Sequence, residues 1–362
     1  MLRATPTIEA LPSLTPFVGP EQLMREGGRH SILRLGANES SFGPSPKALR
    51  AMASELSLLS RYGDPQSYDL REELAGRLAC DIENIAVGSG IDDLMGLAVR
   101  AFVAPGALAL STRGTYPTFA YHVAGYGGVL ETVDYSPNGQ IDSERLRERV
   151  QAVRPAIIYL ANPDNPSGTL VPRDQIERLL ESLPAETLFV LDEAYAEFAP
   201  AERFLSGVID PRLLRLRTFS KAYGMAGARI GYAVGPKRLI ETFEKIRLHF
   251  GVNRNAQVGA LAALRDQAFV DEVVAEVARG RREYYDVAAD LGRSAIESYT
   301  NFVCIDYGSA QRATATLNAL FDLGVFVRKP FALPLDGHIR VTVGTPEERL
   351  RFVRALRSVD RP

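Results

Sequence analysis

AIIYLANPDNPSGTLVPRDQIERLLESLPAETLFVLD, residues 156–192, is the stretch on which the fold turns. It opens on an apolar run of strand length, AIIYL, and closes on another, TLFVLD, with RDQIERLLESL between them at helical periodicity. Neither strand alternates polar with apolar residues, so each is expected to be buried on both faces. Continuous apolar strands joined by an amphipathic helix are the mark of a parallel sheet covered on both sides. Asn162, Pro163, Asn165, Pro166 and Gly168 crowd the exit of the first strand, a composition suited to a turn.

The pattern repeats outward in both directions. ALALST (107–112), GGVLETVDY (127–135), LLRLRTFS (213–220) and ARIGYAVG (228–235) read as strands, and DSERLRERVQAV (142–153) as a covering helix. Upstream, SPKALRAMASELSLLS (45–60) and DLREELAGRLAC (69–80) have helical periodicity, and NIAVGSG (84–90) is a short strand ending at glycines. After residue 240 a long helical stretch is expected from LIETFEKIRLHF through residue 291, followed by the shorter strands TNFVCIDYG, GVFVRKP and HIRVTVGT. The expected class is therefore α/β, a mostly parallel sheet sandwiched by helices with a smaller α+β domain. Its divisions are an irregular, proline-punctuated N-terminal arm at 1–30, a large domain at 45–245, and a small domain made of 31–44 plus 246–362. The length of 362 residues agrees with more than one core.

Lys+Arg number 42 and Asp+Glu 44, a formal net charge of −2, which provides no chain-wide basic field for nucleic acid or an anionic membrane. Two cysteines, Cys80 and Cys304, make neither a disulfide framework nor a thiolate metal site, and no metal ligand set is expected. The N-terminus lacks a basic start followed by an apolar run, and no stretch reaches the ~18 consecutive apolar residues of a membrane helix. The expected location is the cytoplasm.

Chemistry concentrates where the strands end. Lys221 follows Thr218 and Ser220, and Arg229 comes shortly after, in TFSKAYGMAGARIGYAVG (218–235). Two hydroxyls and a guanidinium suit a phosphate dianion, and a cationic neighbour favours the neutral, nucleophilic form of the lysine. Asn165 stands at the carboxyl edge of the sheet, where open α/β folds bind ligands. Asp192 ends an apolar strand at that same edge, and taken alone reads first as a helix N-cap. Tyr195 reads by default as a packing aromatic. Gly90, Ile91 and Asp92 form a glycine turn opening a helix, an arrangement suited to an anion.

NPDNPSG, DEAY and SK…GARIGY occur in this order, and on these motifs the chain resembles the fold-type I pyridoxal-phosphate enzymes, specifically the class I/II aminotransferases, from about Thr15 to Glu348. The resemblance implies pyridoxal 5′-phosphate as cofactor, with Lys221 forming the internal Schiff base. It implies Asp192 against the pyridinium nitrogen, Asn165 and Tyr195 on the phenolate oxygen, and Thr218, Ser220, Arg229 and the amides of Gly90, Ile91 and Asp92 at the phosphate. Tyr116 matches the aromatic that stacks on the ring. Tyr62 matches the tyrosine reaching the phosphate from a second subunit, which implies a homodimer with a shared active site.

Arg340, in HIRVTVGT, matches the arginine that receives a substrate carboxylate, for which a bidentate fork is suited. Asn38 matches the family's N-terminal substrate-side segment, and Arg328, in FVRKP, is a second nearby cation suited to a further anionic group of the substrate. Within the family the pattern is most similar to histidinol-phosphate aminotransferase, which implies transfer of an amino group between histidinol phosphate and 2-oxoglutarate. The chain departs from it at Phe17, where a tyrosine is usual, and in KIRLHFGVNRNAQ, where His249, Asn253 and Arg254 replace a more apolar run; Phe17 and His249 are carried as candidate substrate residues. Transamination of an aromatic or basic amino acid, or decarboxylation, elimination or cyclisation on the same scaffold, are the alternatives.

Overall fold

The structure, a computed structural model, describes residues 2–12, 18–28, 30–207 and 210–360. After β1 (Leu33–Arg34), the chain lays down β2 (Ile85–Gly88), β3 (Leu108–Thr112), β4 (Val129–Val133), β5 (Ile157–Ala161), β6 (Leu188–Asp192), β7 (Leu213–Thr218) and β8 (Gly231–Val234). Strands β2 to β8 form one seven-stranded sheet in the order β2-β8-β7-β6-β5-β3-β4. Neighbours from β4 through β7 are parallel, while β8 runs antiparallel to both β7 and β2. Every residue of β5 and β6 is buried, as uninterrupted apolar runs require.

Side chains alternate between two cores. Ile158, Leu160, Phe189 and Leu191 pack with Leu146, Val150, Ile176 and Leu179 of the helices Ser143–Val153 and Arg173–Ser182. Ile157, Tyr159, Leu188 and Val190 face the opposite way, toward Leu94, Met95 and Ala98 of the helix Ile91–Phe102. The chain passes from β3 outward to β4, then returns to the other side of β3 as β5. The crevice between the exits of β3 and β5 is thus the switch point at which doubly wound sheets receive ligands.

The remaining strands form two small sheets. β9 (Phe302–Asp306) pairs antiparallel with β11 (His338–Thr342), and β1 pairs parallel with β10 (Val325–Phe326). A single bridge between Arg328 and Arg340 ties the segment after β10 to β11. Among the described residues no helix is long and apolar enough to cross a membrane.

Two expectations need correction. The arm is not wholly irregular: Pro6–Glu9 and Pro20–Glu26 are short helices, each with its proline in the first turn, where a missing N–H costs nothing. The long helix after residue 240 is three, Lys237–Glu244, Arg254–Leu264 and Gln267–Asp290. Asn253 caps the second of these, its side chain accepting from Ala256 N, which accounts for an asparagine in this run. His249 therefore lies in an exposed loop rather than on a helix end.

Candidate active site

Strand register assembles the site. Ala161 stands opposite Asp192, Asp192 opposite Leu216, and Thr218 opposite Gly231, so the turns after β5, β6 and β7 emerge side by side. They border a cavity lined by Asn165, Asp192, Tyr195, Thr218, Ser220, Lys221 and Arg229, together with Ile91, Asp92 and Tyr116. An adjoining cavity shares Asp92, Tyr116, Asn165 and Lys221 and adds Asn38, Arg328, Phe331 and Arg340.

Asp192 is buried and is not an N-cap. Its Oδ2 accepts from the Tyr159 hydroxyl at 2.7 Å, and its Oδ1 from Ala194 N at 3.0 Å. Burial pushes its carboxyl up to about 6, against the pull of those two donors. Lys221 Nζ donates to the carbonyl of Asn38 at 3.1 Å. Burial, with the Arg340 guanidinium second, lowers its ammonium to about 8, so a substantial share of neutral amine exists near neutral pH.

Asn38 orients two of these groups at once. Besides receiving Lys221, it donates through Nδ2 to the Tyr195 hydroxyl oxygen at 2.9 Å, leaving that hydroxyl's own proton free for another acceptor. Its φ of 54° lies in the left-handed region that asparagine tolerates better than most residues. Burial raises the Tyr195 phenol to about 12, so it remains a donor.

At the other end, the helix Ile91–Phe102 begins beside Arg229. Gly90 is its N-cap at φ 84°, and a Cβ there would collide with Arg229 Nη2, so the close approach of the guanidinium depends on glycine. The Thr218 hydroxyl donates to Ser220 Oγ at 2.9 Å, leaving the Ser220 proton available to the cavity. Asp92 contributes a carboxylate as well as its position in the first turn: it accepts from the Tyr116 hydroxyl at 3.0 Å and lies 3.7 Å from Arg229.

Arg340 is half-exposed as a residue, but its guanidinium is packed over the Phe302 ring at 5.2 Å. It donates to Asn165 Oδ1 and to Gly36 O, while its buried Nε has no hydrogen-bond partner. An arginine with an unspent donor at a cavity wall is suited to an anionic ligand. Arg328 donates to Val18 O and lies over Phe326.

Two candidates do not join this chain's cavities. Tyr62 is 76% exposed and packs against the Phe250 ring at a tilt, and His249 is likewise exposed; neither lines either cavity. Phe17 lies outside the described residues. Arg254 is committed elsewhere, to Glu55 at 2.8 Å.

Two residues that the motifs did not single out stand directly behind the site. Tyr159 is the sole polar side chain in an apolar strand, a signal overlooked because a tyrosine fits a buried strand without further reason. Asp164, fully buried between the two Asn-Pro pairs, accepts from Thr115 Oγ1, Tyr135 OH, Ser167 Oγ and Ser167 N. It thereby ties the loop carrying Asn165 to the loop carrying Tyr116.

The donor set suits pyridoxal phosphate on its own chemistry: an amine held near neutrality for an aldehyde, a buried carboxylate for a ring nitrogen, a phenol donor for a phenolate, and a guanidinium, a hydroxyl and a helix N-terminus for a phosphate. No group of His, Cys, Asp and Glu among the described residues is arranged to hold a metal ion.

A family model, aminotransferase class I and II, matches residues 30–356. Histidinol-phosphate aminotransferase 2 of Pseudomonas aeruginosa is 35% identical over 98% of this chain and 97% of its own length. Histidinol-phosphate aminotransferase 1 of Thiobacillus denitrificans is 36% identical over 98% of this chain and 93% of its own. Among solved structures, histidinol-phosphate aminotransferase from Sinorhizobium meliloti in complex with pyridoxal-5′-phosphate superposes with a TM-score of 0.96 at 42% identity, covering 99% of this chain and 98% of that one.

Proposed function

Because this chain belongs to the class I and II aminotransferases, we propose that it binds pyridoxal 5′-phosphate and moves an amino group between histidinol phosphate, or a related amino donor, and 2-oxoglutarate. The observation that carries the reading is one cavity holding a near-neutral lysine amine together with a buried aspartate and a guanidinium beside a helix N-terminus.

Lys221 would hold the aldehyde, Asp192 the ring nitrogen, and Asn165 and Tyr195 the phenolate oxygen. Ser220, Thr218, Arg229 and the first amides of the helix Ile91–Phe102 would hold the phosphate. The bound cofactor supplies an electron sink for the bond broken at the substrate's α-carbon. Arg340, on the wall of the adjoining cavity, would hold an anionic group of the substrate with its guanidinium and fix where that carbon lies. Lys221 Nζ then takes the α-proton as general base, a task matched to a group titrating near 8. Asn38 aims the amine, and Tyr116 with its loop narrows the space left for water.

The same reading assigns Tyr62 to a neighbouring active site. Tyr62 and Phe250 pack against each other in the open, and Leu59 and Leu248 are exposed on the same two segments. An apolar surface of this kind is suited to a second copy of the chain.

The test is a panel of amino donors with 2-oxoglutarate, read by glutamate formation. Histidinol phosphate is expected to give glutamate. Glutamate from phenylalanine or arginine but not from histidinol phosphate would reassign the donor, and a visible absorbance that responds to donors without glutamate would reject transamination.

A further inference from the structure

The carboxylate expected to face the cofactor's ring nitrogen is itself held from behind. Asp192 and Tyr159 lie on the same face of the sheet, because Ala161 pairs with Asp192 and Tyr159 with Val190, which places the two side chains diagonally across neighbouring strands. The Tyr159 hydroxyl donates to Asp192 Oδ2 at 2.7 Å, while its ring, fully buried, stacks on Phe119 at 4.9 Å. A phenylalanine would fill that space equally well. The hydroxyl is therefore the part of the side chain that packing does not require.

We propose that Tyr159 is a positioning residue that acts through Asp192: its O–H bond keeps the buried carboxylate ionised and aimed at the cavity, and so sets the pH below which Asp192 stops serving as counter-charge to a ring nitrogen.

The surroundings make that bond consequential. Asp92, from the first turn of the helix Ile91–Phe102, and Glu193, the next residue in the chain, both disfavour a charge on Asp192. Lys221, on the loop after β7, is the cation that senses Asp192 across the cavity, and Tyr195 and Tyr116 are neutral phenols. Against burial and two acids, Asp192 has two donors, Tyr159 and Ala194 N. Burial and the carboxylate together hold the Tyr159 phenol well above its ordinary range, so it does not lose its proton as the pH rises.

This rests on the role given to Asp192 above. The experiment measures binding of pyridoxamine 5′-phosphate, which has no aldehyde and makes no bond to Lys221, to the full chain stripped of cofactor. Wild type and Tyr159→Phe are compared from pH 5 to pH 8, and the ligand's own titration is common to both. At pH 8 the two should bind within about twofold. At pH 6 the variant should bind about fivefold more weakly, approaching roughly tenfold at pH 5, the lower end of what a hydrogen bond to a charged group contributes, and its midpoint should rise by about one pH unit.

In an Asp192→Asn background the same change should leave the pH profile unmoved. A constant ratio of affinities at every pH, or an effect that persists without Asp192, would make Tyr159 a packing residue and overturn the proposal. If wild type fails to bind the ligand at any pH, the reading of the cofactor site is what fails. The coupling is then read by carbon NMR of the Asp192 carboxyl, whose titration must move upward in Tyr159→Phe for the proposal to stand.

Discussion

The wall of the cavity at the sheet edge and the wall that faces it are held in different ways. Asp192 and Thr218 are the last residues of β6 and β7, and Asn165 follows β5 by four residues, so their positions are set by a ladder buried on both faces. On the opposite wall, Arg340 stands in a two-stranded sheet and reaches the carbonyl of Gly36, a residue 304 positions away in the chain. Arg328 reaches Val18 in the N-terminal segment. The groups assigned to the reaction sit on the rigid wall, and those assigned to substrate choice on the wall assembled from short elements. Such an arrangement lets the outer wall change its ligand while the chemistry stays in place.

Lys221→Ala tests the rigid wall most severely. Loss of the amine should lower turnover by at least roughly 10⁴-fold, the upper range for a single proton-transfer group, and abolish the visible absorbance while circular dichroism keeps the fold. Retained absorbance would remove Lys221 from its assigned place.

Arg340→Lys tests the facing wall. It keeps the charge and loses the fork, and should lower kcat/KM about 10–100-fold, mostly through KM, with cofactor retention unchanged. A loss of cofactor instead would mean that the two walls do not divide the work.

Asp164→Ala probes what joins the walls to the sheet. It strands four donors inside the protein and should reduce stability to urea by about 1–3 kcal/mol; no change would show that the Asn165 and Tyr116 loops are held by other contacts.

The smallest effect is a graded one. With the Lys221 ammonium lowered from 10.5 to about 8, its neutral fraction grows tenfold per pH unit up to about pH 8 and then levels. The rate at which the stripped chain takes up pyridoxal phosphate should follow that curve. A rate still climbing at pH 10 would indicate an amine in ordinary solvent.

The strand runs, their covering helices and the residues at the strand exits were all legible, since an apolar run ending abruptly in Asp192 or Asn165 announces both a strand and its edge. The breaks at 245–253 were not. Leucine, isoleucine and phenylalanine there keep a helical period, and Asn253 acts as a cap only because the chain has turned at His249 and Phe250 before it. Tyr159 and Asp164 escaped notice for a different reason. A buried tyrosine and a turn aspartate each have an ordinary local explanation, and their partners, Asp192 and Tyr135, lie 33 and 29 residues away.

By itself the sequence determined the class of fold, the order of the strands along the chain and the polar and charged groups at their ends, because these follow from local periodicity and from which residue interrupts it. Only the tertiary structure decided which face each side chain takes and which distant carbonyl meets Lys221. It also decided that Asn38 serves both the amine and Tyr195, and that a tyrosine stands behind Asp192. Those contacts depend on strand register and on the closure of long loops, neither of which leaves a periodic trace in the chain.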